Sequence, residues 1–226
     1  MTTSFDSTTG QHCHVGSNGV MHAGNEDPQR LVLDWDGTVT VRDTLWMLLE
    51  RFGDREVFER MEGALGRTMS HREVMETEMA TITAPLEDAV AFLVERVEIR
   101  PGFEEFVRRF RPRVLSSSFH ETIEPVLARE GVEVDLVANR IDPRPDGWRV
   151  IWTDDAPCPE CGELCKRRAL PNDGVVVYAG DGYSDRCAAL AADRVFARGD
   201  LARYLTSRRA VFEPFEDLDD IAAALT

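Results

Sequence analysis

The sequence predicts a three-layer α/β fold in which helices cover both faces of a parallel β-sheet. Two observations predict this class. From residue 100 onwards, short apolar runs alternate with segments of helical periodicity, as expected of parallel strands and the helices that connect them. Residues 43–99 show helical periodicity only, so we expect a helical insertion directly after the first strand.

The first predicted strand is RLVLD, residues 30–34, whose unbroken apolar stretch is typical of a strand buried on both faces. Helices are predicted next in DTLWMLLERFG, REVFERMEGALG, SHREVMETEMATI and LEDAVAFLVERV, because apolar residues recur there three and four positions apart. We therefore expect a core domain of residues 29–42 and 100–226, and a helical cap domain of residues 43–99.

The alternation of helices and strands resumes after Pro101. Helices are predicted in GFEEFVRRF, HETIEPVLAREG, SDRCAALAA, DLARYL and FEDLDDIAAAL, and strands in RVLSSS, GVVVYAGDG, RVFAR and AVF. The polar residues 132–157 are expected to hold short strands. Residues 1–28 lack periodicity and are predicted to be a disordered tail, and we interpret His12, Cys13 and His14 as part of it rather than as a metal site.

Composition limits the partners of the chain. It has 41 acidic and 26 basic residues, and the resulting formal charge of −15 would repel nucleic acid and anionic membranes. No apolar run approaches the roughly 20 residues of a membrane-spanning helix, and the N-terminus does not resemble a secretory signal. With five cysteines, these features favour a reducing compartment, so we expect the protein in the cytoplasm. We also expect a monomer or a homodimer.

Polar side chains come directly after several predicted strands. They are Asp34 and Asp36, then Ser116, then Asp181 with Asp185. Because open parallel sheets bind ligands beyond the carboxyl ends of their strands, we expect these residues to meet at one edge, joined by Lys166 from the start of a short helix. Crowded carboxylates without a nearby histidine favour Mg²⁺. Each motif alone is most often a turn or a surface charge, but their combination indicates a phosphate-binding site.

These motifs, DWDGT, VLSSS, Lys166 and GDGYSD in that order, resemble the motifs of the haloacid dehalogenase-like (HAD) hydrolases over residues 30–212. The position of the helical insertion resembles the C1-capped branch that includes phosphoserine phosphatases. The resemblance implies a Rossmann-like core with a C1-type cap. The chain departs from the pattern at Trp35, where phenylalanine is usual, and at Ser117 and Ser118, where glycines often occur.

The resemblance also implies roles for individual residues. Asp34 would be the nucleophile that forms an aspartyl-phosphate, and Asp36 would be the general acid and then the general base. The implied Mg²⁺ ligands are Asp34, Asp36 through its backbone carbonyl, Asp181 and Asp185. The implied phosphate-binding residues are Thr38, which would also brace the loop, Ser116, Ser117 and Lys166.

Two local segments narrow the substrate class. IWTDDAPCPECGELCKRRAL resembles the 2-hydroxy-3-keto-5-methylthiopentenyl-1-phosphate phosphatases of methionine salvage and the phosphoethanolamine/phosphocholine phosphatases, and GDGYSDRCAALAADRVFAR resembles the former. The resemblance thus favours a small phosphorylated metabolite of methionine salvage, with phosphoserine, phosphoethanolamine and phosphocholine as alternatives. A catalytically silent HAD-like binding module is the alternative of another class. The polar candidates for the cap or rim are Arg42, Asp43, Arg67, His71 and His120.

Cys158, Cys161 and Cys165 form a C-x2-C-x3-C pattern just before Lys166. Three thiols are one ligand short of a closed zinc site, and His120, Asp154 or Asp155 are the candidates to complete it. Reduced thiols, structural Zn²⁺ and a disulfide all remain open. We expect Cys187 to be a core residue of the helix that follows Asp185.

Overall fold

The computed structural model describes residues 28–226. Most of the tail predicted at residues 1–28, including His12, Cys13 and His14, therefore lies outside the described residues. Within the described part, the strands form one seven-stranded sheet of order β4-β3-β2-β1-β5-β6-β7. The strands are β1 (Gln29–Leu33), β2 (Arg113–Phe119), β3 (Asp135–Asp142), β4 (Arg149–Ile151), β5 (Val175–Gly180), β6 (Arg194–Ala197) and β7 (Glu213–Pro214).

The sheet confirms the predicted α/β class. All its strand pairs are parallel except β3 with the edge strand β4, which is antiparallel. Strand β1 lies between β2 and β5, and its side chains alternate between two apolar clusters: Leu31 and Leu33 belong to one and Val32 to the other. The central position of β1 is the reason for its unbroken apolar sequence.

The insertion after β1 is helical, as predicted. Its helices are α1 (Thr44–Phe52), α2 (Arg55–Ala64), α3 (His71–Met79) and α4 (Leu86–Arg96). Side chains that precede three of them accept hydrogen bonds from the first turn: Asp43, Asp54 and Ser70, the last in a capping box with Glu73. Buried residues of α1, α3 and α4 share one apolar cluster with Leu33 of the sheet. The division into a separate cap domain of residues 43–99 remains a proposal.

The remaining helices are α5 (Phe103–Phe110), α6 (His120–Glu130), α7 (Arg186–Ala189), α8 (Gly199–Arg208) and α9 (Leu218–Ala224). Two predictions were wrong in extent. Helix α7 is a single turn, because the connection between Gly180 and Arg194 is short. The last strand is Glu213–Pro214 and not the preceding AVF, because β6 pairs with it at Glu213. Among residues 28–226, no helix is long and apolar enough to cross a membrane.

Candidate active site

The chain leaves β1 through a turn at residues 35–39, just after Asp34, in which Asp36 and Gly37 have non-helical backbone angles. Asp34 N donates to Ala179 O of β5 (2.9 Å), so the end of β1 remains attached to the sheet. Gly37 has φ +73°, and a Cβ there would lie 2.2 Å from Asp181 Oδ2. Only glycine therefore lets the loop after β1 approach the loop after β5 this closely.

Arg100 stabilises the loop after β1 through hydrogen bonds to its backbone carbonyl groups. Its guanidinium donates to the carbonyl oxygens of Gly37 (2.9 Å), Thr38 (2.9 Å) and Thr40 (3.3 Å), and also to Glu216 O (2.9 Å). The side chain is buried, and burial lowers its pKa from the usual value. No sequence pattern indicated this role, because carbonyl groups of any residue type can accept such bonds.

Lys166 is buried between Asp34 and Asp185. Its Nζ contacts Asp34 Oδ1 directly and donates to Asp185 Oδ1 at 2.7 Å. Exposure is 3% for Asp34, 5% for Lys166 and 0% for Asp185. Burial alone would lower the pKa of Lys166, but the adjacent Asp185 and Asp34 carboxylates outweigh burial and raise it. Lys166 is therefore a fixed positive charge at the carboxyl end of β1.

The carboxylates of the site repel one another. Burial, followed by the charge of Asp185, raises the pKa of Asp34 well above its ordinary value, although Lys166 opposes the shift. Burial and Asp185 also raise the pKa of Asp181 to about 7. Oxygen atoms of Asp34, Asp181 and Asp185 lie within 4.8 Å of one another. Such an all-oxygen set, with more negative charge than Lys166 neutralises, fits Mg²⁺.

Asp185 is already saturated with donors from the protein. Its Oδ1 accepts from Lys166 and from Tyr178 Oη (2.6 Å), and its Oδ2 accepts from the backbone N–H groups of Asp181 (3.0 Å) and Gly182 (2.9 Å). Asp34 and Asp181 are thus better placed to bind a metal directly. Tyr178, inside the strand GVVVYAGDG, was not among the predicted site residues.

Asp36 turns towards the insertion and β2. Its Oδ1 accepts from Thr44 N (2.8 Å), and its Oδ2 accepts from Ser118 Oγ (2.6 Å), with Ser116 Oγ 3.4 Å away. Ser118 therefore has a contact that a glycine there could not make. The pairing of β2 with β3 shifts between Leu115 and Phe119, which leaves this serine segment outside the regular ladder.

The predicted phosphate-binding residues differ in position. Lys166 and Ser117 line the cavity described below, and Asn139 Nδ2 fixes the Ser117 carbonyl at 2.7 Å. Ser116 lies behind them, with its Oγ accepting from Ser118 N (2.9 Å). Thr38 is fully buried and does not line the cavity, and its contact with phosphate stays a prediction. Its carbonyl, held by Arg100, remains part of the braced loop.

A cavity of about 430 Å³ lies between the carboxyl ends of the strands and the helical insertion. Of the polar rim candidates, Asp43 and His71 line it, whereas Arg42, Arg67 and His120 do not. His120 instead contacts Glu124 on its own helix. The lining residues from the insertion are Asp43, Leu45, Glu62, Leu65, His71, Val74, Met75 and Glu78, and those from the core are Asp34, Asp36, Ser117, Ser118, Lys166, Asp181, Gly182, Tyr183, Ser184, Gly199, Asp200 and Arg203.

The cysteines form a second group of possible metal ligands, in addition to Asp34, Asp181 and Asp185. Sulfur atoms of Cys158, Cys161, Cys165 and Cys187 lie within 4.8 Å of one another. The prediction of Cys187 as a core residue was therefore wrong, since the single turn of α7 directs it towards the other three. His120, Asp154 and Asp155 do not join this cluster, and Asp154 pairs with Arg168.

Comparison with known proteins identifies the family. Residues 31–190 match the family described as haloacid dehalogenase-like hydrolase, and this match covers more than half of the chain. The protein therefore belongs to the haloacid dehalogenase-like hydrolases and is an enzyme of the phosphatase type. The resemblance seen in the four sequence motifs is confirmed at the level of the family.

Similar proteins include a 2-hydroxy-3-keto-5-methylthiopentenyl-1-phosphate phosphatase of Bacillus cereus, 30% identical over 205 residues that cover 85% of this chain and 93% of the relative. A polyol phosphate phosphatase of Saccharomyces cerevisiae is 28% identical, covering 85% and 90%. A solved phosphoserine phosphatase, described as a phospho-aspartyl intermediate analogue, has a TM-score of 0.63 at 16% identity, covering 88% of this chain and 99% of that one. The last likeness supports the fold.

Proposed function

We propose that the protein is a Mg²⁺-dependent phosphomonoesterase that works through an aspartyl-phosphate on Asp34. The observation that supports this most is the buried contact of Lys166 with Asp34 at the carboxyl end of β1, where both line the cavity. The lysine keeps the carboxylate oriented, and its charge also favours a phosphoryl group at the same place. A silent binding module would have no need of this costly buried arrangement.

The chemistry follows from the positions of the two aspartates. One oxygen of Asp34 would attack phosphorus while the bond from phosphorus to the leaving oxygen breaks, and Asp36 would give its proton to that oxygen. Water would then attack the aspartyl-phosphate, Asp36 would take the proton, and Asp34 would leave as a carboxylate. Thr44 and Ser118 hold Asp36 in one orientation for both proton transfers.

Mg²⁺ would be held by Asp34, Asp181 and the backbone carbonyl of Asp36, and Asp185 would position its neighbours. When bound, the ion neutralises negative charge on the phosphoryl oxygens. Lys166, which contacts Asp34 and Asp185, would add a second positive charge to the site. Gly37 and Arg100 keep the loop in the shape that this arrangement needs.

The lead substrate is 2-hydroxy-3-keto-5-methylthiopentenyl-1-phosphate. The Bacillus cereus relative, which has that name, supports it together with the apolar part of the cavity wall formed by Leu45, Leu65, Val74 and Met75. His71 contributes a free polar atom: its Nδ1 is buried with no partner among the described residues. Burial and the charge of Lys166 lower the pKa of His71 to about 4, so the ring is neutral and available to a substrate hydroxyl or carbonyl.

A second substrate class is favoured by a different observation. Asp43, Glu62 and Glu78 place three carboxyl groups on the insertion side of the cavity. Glu78 is 3% exposed, and its Oε1 has no hydrogen-bond partner among the described residues. A substrate with an ammonium group, such as phosphoserine or phosphoethanolamine, would find hydrogen-bond acceptors there, and its positive charge would favour loss of the carboxyl protons.

Phosphate release from a panel of these esters tests the proposal. We expect Mg²⁺-dependent hydrolysis that stops in EDTA and returns when Mg²⁺ is restored. The methionine-salvage ester should exceed the others in kcat/KM by at least about 100-fold. Preference for the amino esters, lost in Glu78→Gln and retained in the surface control Glu133→Gln, would favour the second class. No release from any ester by the Mg²⁺-loaded protein would contradict the proposal and favour a silent module.

The cellular location and the assembly state stay predictions. The cytoplasmic location depends on the cysteine content, and a monomer or homodimer is equally compatible with the proposed site, whose residues all come from one chain.

A further inference from the structure

The cysteine cluster has the dimensions of a tetrahedral metal site. Cys158 Sγ and Cys187 Sγ are 3.9 Å apart, and the sulfurs of all four cysteines lie within 4.8 Å of one another. Zinc–sulfur bonds of about 2.3 Å in a tetrahedron place sulfur atoms ~3.8 Å apart. The four thiols therefore need only small movements to share one ion.

The backbone around Cys158 is shaped for such a role. Gly162 has φ +74°, and its N–H donates to Cys158 O at 2.8 Å, while Cys158 N donates to Glu163 O at 2.8 Å. This turn brings the backbone N–H groups of Cys161 and Glu160 towards the Cys158 sulfur. N–H groups aimed at sulfur stabilise thiolate ligands, and glycine is the residue that readily adopts this φ.

Positive side chains surround the cluster. Four thiolates and one Zn²⁺ carry a net charge of −2, which needs compensation in a partly buried place. Arg167, Arg186 and Arg208 line one cavity with Cys161, Cys165 and Cys187, and they outnumber the two glutamates there, Glu160 and Glu163. These arginines supply that compensation.

The cluster joins two segments that carry active-site residues. Cys165 directly precedes Lys166, and Cys187 follows Asp185 by one intervening residue. Lys166 Nζ and Asp185 Oδ1 are themselves in contact at 2.7 Å. We infer that Cys158, Cys161, Cys165 and Cys187 bind one structural Zn²⁺, and that this ion fastens the loop of residues 158–165 to α7 and so keeps Lys166 against Asp34 and Asp185.

Metal analysis of the reduced, full-length protein tests this inference without reference to any phosphatase activity. We expect one zinc ion per chain in the wild type and in Cys13→Ser, which alters the one cysteine of the sequence that is not among the four proposed ligands. Cys187→Ser should lose the zinc, whereas Cys187→His, which keeps a ligand, should retain it. Cobalt substitution should give the visible bands of tetrahedral thiolate coordination in the wild type and not in Cys187→Ser.

Hydrogen exchange tests the fastening role. Removal of zinc by a chelator should reduce amide protection in residues 158–168 and 183–190 and leave β1 protected, and zinc added back should restore it. Disulfides among the four cysteines, no zinc in the reduced wild type, or equal zinc in Cys187→Ser and wild type would overturn the site. Zinc bound without any effect on exchange in residues 183–190 would overturn the fastening role.

Discussion

Gly37 is the residue at which the loop after β1 approaches Asp181 closely enough to exclude a Cβ atom. Its positive φ and its contact with Asp181 allow two loops from separate strands to touch. Gly131 offers a matched comparison, since it has φ +68° but nothing lies within 4 Å of a Cβ placed there. The two positions therefore separate the cost of backbone strain from the cost of a clash in the site.

We expect Gly37→Ala to lower kcat by at least about 100-fold, because the new methyl group displaces the Asp181 carboxylate. Gly131→Ala should cost about 1–2 kcal/mol of stability from the left-handed conformation and leave kcat unchanged. Phosphate release and urea unfolding of both variants measure these effects. Equal loss of activity in the two alanine variants would contradict a specific role for Gly37.

The roles of Arg100 and Cys187 could not be predicted from patterns in the sequence, unlike those of the aspartates. Asp34, Asp36 and Asp181 could be predicted because a strand end followed by a carboxylate is visible in the sequence. Arg100 binds backbone carbonyls, which have no sequence signature. Cys187 meets Cys158 only because of how α7 is oriented, and that orientation depends on the packing of the whole connection after β5.

At the level of secondary-structure elements, α3 places Glu78 in the wall of the cavity, where its side chain is buried. Burial, and then the charges of Glu62 and Asp43, raise the pKa of Glu78 from 4.5 to about 8. Between these values the folded chain keeps a proton that the unfolded chain has lost. The free energy of unfolding therefore decreases, through this group, as the pH rises from 4.5 to about 8.

Glu78→Gln removes that dependence. Relative to wild type, the variant should gain stability as the pH rises, by up to about 4 kcal/mol between pH 5 and pH 8.5, because glutamine carries no charge to bury. Urea unfolding at a series of pH values measures the difference. Glu133→Gln, on the surface, should stay at a constant difference from wild type. A Glu78→Gln curve parallel to wild type would show that Glu78 is not the group responsible.

The helices of the insertion were predictable in position because their caps are local. Asp43, Asp54 and Ser70 each accept from the turn that directly follows, so sequence neighbours alone determine these starts. The last strand was displaced from AVF to Glu213–Pro214, because register with β6 is set by distant residues. Local signals thus determine where helices begin, and sheet pairing requires the assembled fold.

At the scale of the whole molecule, a chain of formal charge −15 must attract an anionic phosphate ester. Lys166 and Arg203 are the cationic side chains in the cavity lining, and Asp34, Asp36 and Asp181 line it as well. Added positive charge makes the field there more favourable for phosphate, so we expect phosphate to bind with Mg²⁺ as well as with Lys166. The overall charge otherwise favours small ligands over nucleic acid.

If Asp34 is the nucleophile of a Mg²⁺-dependent phosphatase, as we propose, its replacement by asparagine should nearly stop the release of phosphate. The amide keeps the size of the side chain but is a far weaker nucleophile, so kcat should fall by at least about 1000-fold, equivalent to ~4 kcal/mol in the barrier. Asp173→Asn, at an exposed pair with Arg30, is the control and should match wild type. A folded Asp34→Asn protein that hydrolyses the preferred ester at the wild-type rate would contradict the account.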